Sequence, residues 1–367
     1  MIKGIREAAY ACEPYVSGRS MDEIMEEYGL TQVIKLNSNE NPYGPYEKCK
    51  EAMTAEISKI NIYPERNYIR LKKLLGEMFG VDSDYISLGH GAGSVLEEIA
   101  KTFLEAGDEV IVPKQSYLLY REISKIMGAR VMEIALDENY SIDLDAFQAA
   151  ITPKTKLVWV CNPNNPTGTI IPKDKFDSFV DSLPEQTWMV VDEAYAEFTA
   201  AKKLPDLMKY IKNGKNVIAV RTFSKYYGLA GARMGYIIAN PEIITVYDTV
   251  SEPFNANRIA LAGAVELIKN ERRTCKKYGD ILVQDREWIN EELAKIGCIP
   301  YPSQCNFVFF QTPCPAAKIS ELLLQKGIMI RPCGGWGYPN HIRATIGTTK
   351  QNQIFLKEIK NLLTLQI

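Results

Sequence analysis

Apolar residues in the first two-thirds of the chain fall into short runs separated by stretches with helical spacing. The runs at residues 109–112, 130–135, 156–161, 188–192, 217–221 and 236–239 are rich in β-branched and aromatic side chains. Gly, Pro, Asn or Asp bounds most of them, so each is predicted to be a strand. Between them, residues 94–105, 118–127, 143–150 and 173–183 carry apolar positions at helical intervals. Strands that alternate with helices form a mostly parallel sheet covered on both faces. Such sheets bind ligands beyond the carboxyl ends of their strands. Residues that carry chemistry are therefore expected just past the strand ends.

Near Val250 the pattern changes. A charged helical stretch spans 257–295 with a break near Asn270. Strand candidates follow at 306–310, 328–331 and 341–346, with helices at 315–326 and from Lys350 onward. The prediction is an α/β protein of two parts. A large domain of residues 35–250 holds the mostly parallel sheet between helices. A smaller α+β domain is built from residues 251–367 and the N-terminal arm, residues 1–34. A chain of 367 residues exceeds one typical core and accommodates both.

Charge adds little to this picture. With 43 basic and 45 acidic residues the formal net charge is −2, which points to neither a nucleic-acid nor a membrane partner. No apolar run reaches the roughly eighteen residues of a membrane span, and the N-terminal residues lack the apolar core of a signal peptide. A cytoplasmic location is the expectation. None of the eight cysteines forms a C-x-x-C pair, and there are only two histidines, His90 and His341. Free thiols and no metal site are expected. The scarcity of histidine also argues against a serine–histidine hydrolase.

Five segments carry candidate chemistry. In Arg221-Thr-Phe-Ser-Lys225 a strand ends and a lysine follows at once. A lysine amine attacks a carbonyl only when deprotonated, which low polarity or nearby positive charge favours. Ser224 and Arg233 flank it as phosphate partners. Alone, the segment fits a solvated surface lysine equally well. The strand 188–192 ends on Asp192, and Tyr195 follows. A buried carboxylate needs a partner, and a pyridinium nitrogen is one; Tyr195 can donate to a neighbouring phenolate oxygen. Cys161-Asn-Pro-Asn-Asn165-Pro-Thr-Gly168 forces an irregular turn that holds the Asn165 amide rigidly, with Asn165-Pro166 a candidate cis bond. Gly89-His-Gly-Ala92-Gly93-Ser94 is a glycine-rich opening to a helix, where backbone N–H groups make an anion site. Tyr117, just past the strand 109–112, can stack on a flat heterocycle. Together the segments supply a phosphate cup, a ring stack, a pyridine partner, a phenolate partner and an imine-forming lysine.

On these segments the chain resembles the fold-type I pyridoxal-phosphate (PLP) aminotransferases, and within them the histidinol-phosphate aminotransferase branch. Further matching stretches are Glu13-Pro-Tyr15, Leu36-Asn-Ser-Asn-Glu-Asn-Pro-Tyr-Gly44, Tyr63-Pro64, Gly228-Leu-Ala-Gly-Ala-Arg233 and Ile342-Arg343-Ala-Thr-Ile-Gly347, spread over nearly the full length. The resemblance implies that Lys225 forms the Schiff base with PLP and shuttles the proton. It implies that Asp192 pairs with the pyridine nitrogen, that Asn165 and Tyr195 bond the ring oxygen, and that Tyr117 stacks on the ring. Ala92, Gly93, Ser224 and Arg233 would hold the cofactor phosphate. Tyr63 would reach the cofactor phosphate of a neighbouring subunit, which implies a homodimer with shared sites. Arg343 would bind the substrate carboxylate, and Tyr15, Asn39 and Arg331 would complete the substrate site. The implied substrates are a small-molecule amino donor, histidinol phosphate, and the 2-oxo acid 2-oxoglutarate, in ping-pong order.

Two departures bear on these roles. The family often reads Gly-Asn-Gly-Ser-Asp-Glu where this chain has Gly89-His-Gly-Ala92-Gly93-Ser94, so the phosphate register falls on Ala92 or shifts to Ser94. Tyr226 follows the lysine, where the family more often has a small or different aromatic residue. An aromatic or other amino-acid aminotransferase, or a PLP decarboxylase acting on an amino-acid phosphate, would share every cofactor residue. A non-enzymatic PLP-binding regulator usually carries an appended DNA-binding domain, and with so few residues ahead of Glu13-Pro-Tyr15 none is expected.

Overall fold

The computed structural model describes residues 2–14, 19–65 and 67–364. A seven-stranded sheet runs in the order Ile86–Gly89, Gly235–Ile238, Val217–Thr222, Trp188–Asp192, Thr155–Cys161, Glu109–Pro113, Arg130–Ile134. The last five are mutually parallel. Gly235–Ile238 is antiparallel to both of its neighbours. All six strands expected from the hydrophobic pattern are present. The seventh, Ile86–Gly89, is one the pattern does not announce: four residues, two of them Ser and Gly.

Both faces of the central strands are covered, which is why they read as continuous apolar runs. Val158, Val160, Val191 and Ala219 point into one cluster with Phe147, Phe176 and Phe223. Their neighbours Leu157, Trp159, Val190, Ile218 and Val220 point into the other, beneath the helix Gly91–Phe103. This is the two-residue period of a strand, used on both faces at once.

A second, four-stranded antiparallel sheet has the order Arg331–Pro332, His341–Thr345, Phe307–Gln311, Ile299–Tyr301. Its two edge strands carry Pro332 and Pro300, where a missing N–H costs no ladder bond. The apolar run at 328–331 is therefore divided. Ile328–Met329 pairs in parallel with Ile34–Lys35 of the N-terminal region, and Arg331–Pro332 joins the four-stranded sheet.

The charged stretch after Asn257 forms two helices, Arg258–Asn270 and Arg272–Lys295. Asn257 caps the first by accepting the Ala260 N–H at 2.8 Å. At the break, the Glu271 carboxylate accepts the Cys49 N–H at 2.9 Å, which ties the kink to the helix Glu47–Ile57. Ala260, Ala264 and Leu267 of the first helix belong to the same core cluster as the large sheet. All eight cysteines are free and six are buried. Among the described residues, no helix is long and apolar enough to cross a membrane.

Trp159 tests how far the large sheet depends on packing. It is fully buried, stacks on Tyr120 at 5.7 Å and donates its indole N–H to Ser124 Oγ at 3.1 Å. Trp159→Ala leaves a cavity and removes the N–H that Ser124 Oγ accepts. It is expected to lower the unfolding free energy by about 3–5 kcal/mol, measured by urea denaturation.

Candidate functional site

The carboxyl ends of the parallel strands open into a cavity of about 440 Å³ that faces the four-stranded sheet. A larger cavity, about 770 Å³, surrounds the Arg221–Glu193–Glu197 ion-pair cluster and contains none of the residues expected to carry chemistry.

Lys225 lies three residues past the strand Val217–Thr222. The turn that presents it is closed by Thr222 Oγ1, which accepts the Ser224 N–H at 3.0 Å, and by the Leu229 N–H on the Phe223 carbonyl at 2.9 Å. The lysine Nζ donates to the Ser38 carbonyl at 2.9 Å and lies 6.0 Å from the centre of the Tyr195 ring. Burial pushes its pKa down to about 8, and the Arg343 guanidinium pushes in the same direction. Burial makes the ammonium costly, so the free amine is reached at a lower pH than for an exposed lysine. That is the state in which a lysine attacks a carbonyl.

Asp192 ends the adjacent strand and is 4% exposed. Tyr120 donates its hydroxyl to Oδ2 at 2.7 Å, and the Ala194 N–H reaches Oδ1 at 3.1 Å. Burial raises the carboxyl pKa all the same, against the pull of those two donors. The carboxylate is thus held in place, and among the described residues no cation forms an ion pair with it. Tyr195 is buried, with its phenol pKa raised by that burial. Its oxygen accepts from Asn39 Nδ2 at 2.9 Å, which leaves the phenolic proton free to be given elsewhere.

Past the strand Thr155–Cys161, two cis bonds, Asn162-Pro163 and Asn165-Pro166, shape the turn that carries Asn165. The second was expected and the first was not. Asn165 Oδ1 accepts from Arg343 Nη1 at 2.6 Å, so its amide nitrogen remains a donor. Tyr117 stands on the wall of the same cavity, edge-on to Tyr120 at 5.6 Å.

Ala92 and Gly93 sit in the first turn of the helix Gly91–Phe103, where backbone N–H groups have no intrahelical partner. Both line the cavity and Ser94 does not, which favours the first of the two registers. Arg233 Nη1 lies 3.5 Å from Ser224 Oγ. Gly91 has φ +80°, and a Cβ there would lie 2.4 Å from Arg233 Nη2, so the helix start and the guanidinium meet only over a glycine. Helix N-terminus, hydroxyl and guanidinium together form an anion cup.

The opposite wall comes from the four-stranded sheet. Arg331 and Arg343 are paired across neighbouring strands, and their guanidinium carbons lie 5.6 and 5.8 Å from the ring of Trp336. Arg343 Nη2 also donates to the Asn37 carbonyl at 2.5 Å. Trp336 donates its indole N–H to the Ser116 carbonyl at 2.7 Å, which ties this wall to the large sheet.

The cavity therefore gathers Asn39, Ala92, Gly93, Tyr117, Asn165, Asp192, Tyr195, Ser224, Lys225, Arg233, Arg331 and Arg343. Tyr63 is not among them: it is 75% exposed and stacks on Phe254 at 4.5 Å. Tyr15 lies outside the described residues. Four contributors escaped the sequence reading: the Ser38 carbonyl, Glu40, Tyr120 and Trp336. Tyr120 sits one helical turn beyond Tyr117, and Trp336 stands in a Gly-Gly-Trp-Gly segment between the two arginines, which are the only local signals for either.

Comparison with known proteins agrees with this arrangement. Residues 31–359 match the model of the family described as aminotransferase class I and II. The histidinol-phosphate aminotransferase of Moorella thermoacetica is 37% identical over 359 residues, covering 98% of this chain and 92% of that protein. Histidinol-phosphate aminotransferase 2 of Pasteurella multocida is 36% identical over 361 residues and 98% of each chain. The crystal structure of histidinol-phosphate aminotransferase from Sinorhizobium meliloti, in complex with pyridoxal-5'-phosphate, superposes with a TM-score of 0.91 at 26% identity, over 100% of this chain and 99% of that one. The chain belongs to the class I and II aminotransferase family.

Tyr120→Phe removes a donor to a buried carboxylate and adds no bulk. The expected cost is about 1.5–3 kcal/mol in urea unfolding of the ligand-free protein. A loss below about 0.5 kcal/mol would show that Tyr120 does not support Asp192.

Proposed function

We propose that this class I and II aminotransferase uses PLP to move an amino group from histidinol phosphate to 2-oxoglutarate in ping-pong order. One observation carries the reading. A single cavity joins a desolvated lysine and a buried, cation-seeking carboxylate to two separate cationic stations, the Arg233 cup and the Arg331–Arg343 wall. The first station suits a cofactor phosphate and the second a substrate anion. The curated relatives at 36–37% identity carry the histidinol-phosphate aminotransferase name, which supports the choice of donor.

The residues present fit PLP. Among the described residues Asp192 forms no ion pair, and a protonated pyridine nitrogen would supply one. Tyr195 has a proton to give and Asn165 an amide N–H, both suited to the ring oxygen. The cup at Ala92, Gly93, Ser224 and Arg233 is sized by Gly91 to admit an anion next to the guanidinium. When bound, PLP supplies the electron sink that makes the substrate Cα–H acidic. Lys225 is the base placed to take that proton and return it. Arg343 and Arg331 hold the anionic end of each substrate in turn, with Asn39 positioning Tyr195 and Tyr15 completing the phosphate grip. Tyr117 covers one face of the ring.

The same reading makes the enzyme a cytoplasmic homodimer. Ile57, Ile60, Ile62 and Tyr63 are exposed within seven residues, and Tyr63 stacks on the exposed Phe254, which supports a subunit contact in which Tyr63 reaches the neighbouring cofactor phosphate. It also divides the chain into a large unit, residues 35–250, and a smaller one, residues 1–34 and 251–367. In support, the seven-stranded sheet lies wholly in the first and the four-stranded sheet in the second.

Histidinol phosphate added to the PLP-loaded protein is expected to convert the cofactor absorbance to that of the amine form, and 2-oxoglutarate to restore it. No shift with histidinol phosphate would reject that donor. Release of carbon dioxide from an amino-acid phosphate without a 2-oxo acid would mark a decarboxylase instead. Lys225 is protonated below about pH 8 and free above it. The rate at which ligand-free protein captures PLP is therefore expected to climb with pH through about 8 and level off beyond. Arg343→Met removes a cation that lowers this pKa, so the rise moves to higher pH; a rise at unchanged pH would contradict that cause.

A further inference from the structure

One carboxylate on the cavity wall has no substrate or cofactor contact assigned above, although it acts on Lys225 against the pull of Arg343. Glu40 lines the cavity, 39% of its side chain is exposed, and Lys35 Nζ meets its Oε1 at 2.6 Å. Its backbone is held firmly. Asn39 has φ +56°, which turns the chain between Ser38 and Glu40. Asn306 Nδ2 donates to the Asn39 carbonyl at 3.1 Å, and Asn41 Nδ2 donates to the Tyr226 carbonyl at 2.8 Å.

The acceptors beside Glu40 are already in use. The Asn37 carbonyl takes Arg343 and the Ser38 carbonyl takes Lys225. Asn37 Oδ1 accepts the Ser38 hydroxyl at 3.0 Å, and Asn39 Oδ1 accepts the Thr345 hydroxyl at 3.2 Å. Elsewhere on the wall, Lys225, Arg233, Arg331 and Arg343 are donors only. Asp192 is buried on Tyr120 and Ala194. Among the described residues of this wall, Glu40 is thus the partly exposed carboxylate in a lining otherwise dominated by cations.

Histidinol phosphate carries an amine on its central carbon and, each through a methylene, a phosphate ester and an imidazole. The amine belongs at Lys225 and the phosphate at the arginine wall. The imidazole brings an N–H that must keep a hydrogen bond when it leaves water. We propose that Glu40 accepts this N–H and so selects an imidazole-bearing donor, an inference that rests on the histidinol-phosphate reading. Burying an aromatic ring without an N–H beside Glu40 would desolvate its carboxylate and return no hydrogen bond.

The test compares kcat/KM for histidinol phosphate with that for L-glutamate in the PLP-loaded enzyme. Glu40→Leu is expected to lower the ratio of the two by about 10- to 100-fold, the range for losing a hydrogen bond to a charged group. Glu40→Gln keeps an oxygen acceptor and is expected to recover part of that loss. Lys35→Met, which breaks the ion pair and keeps the carboxylate, should lower the ratio by less than about threefold. Unaltered cofactor absorbance in each variant reports an intact site. A ratio within about threefold of wild type in Glu40→Leu overturns the proposal, as does a Lys35→Met loss equal to that of Glu40→Leu, which would reduce Glu40 to one half of a surface ion pair. Wild-type enzyme that reacts with L-glutamate and not with histidinol phosphate overturns the donor assignment and the role of Glu40 together.

Discussion

The burial of one ammonium group governs the site. Lys225 sits out of water with Arg343 and Arg233 among its charged neighbours, and the Ser38 carbonyl accepts its proton. The arrangement destabilises the charged lysine and so readies the neutral one. It also fixes geometry, because the Ser38 hydrogen bond ties the N-terminal segment Asn37–Glu40 to the loop beyond the strand Val217–Thr222. Asn37 is bound in turn to Arg343 and Asn39 to Tyr195 and Thr345. The cavity is assembled by hydrogen bonds that cross between the two sheets rather than by either sheet alone.

The rest of the fold makes that assembly rigid. Parallel strands buried on both faces end together, which delivers Lys225, Asp192 and Asn165 to one rim. The antiparallel strand Gly235–Ile238 brings the chain back beside Val217–Thr222, so the segment before it places Arg233 against the start of the helix Gly91–Phe103. The four-stranded sheet then needs only two neighbouring strands to offer Arg331 and Arg343 side by side. Trp336 lies by both arginines and reaches across to Ser116, so the anion wall and the large sheet share a fixed contact.

How much of this was legible follows from how local each signal is. The strand runs were clear because burial on both faces removes polar positions. The lysine, aspartate and asparagine were clear because they stand within a few residues of strand ends. Tyr120 was not, since its importance comes from a bond to Asp192 across 72 positions. Trp336 and Ser116 are separated by 220 positions, and nothing in either neighbourhood foretells the contact. The Ser38 contribution is a backbone carbonyl, which no side-chain motif can reveal. Ile86–Gly89 escaped notice because a four-residue strand with a serine and a glycine has no distinct period. The Ala92 and Ser94 registers satisfy the same glycine pattern, so the sequence alone does not separate them.

The central claim is that Lys225, and no other lysine, is the cofactor's covalent partner. Borohydride reduction of the PLP-loaded protein, followed by proteolysis and mass spectrometry, tests it directly. The account predicts one pyridoxyl-phosphate adduct per chain, on the peptide that contains Lys225. An adduct on another lysine, with Lys225 unlabelled, would contradict it.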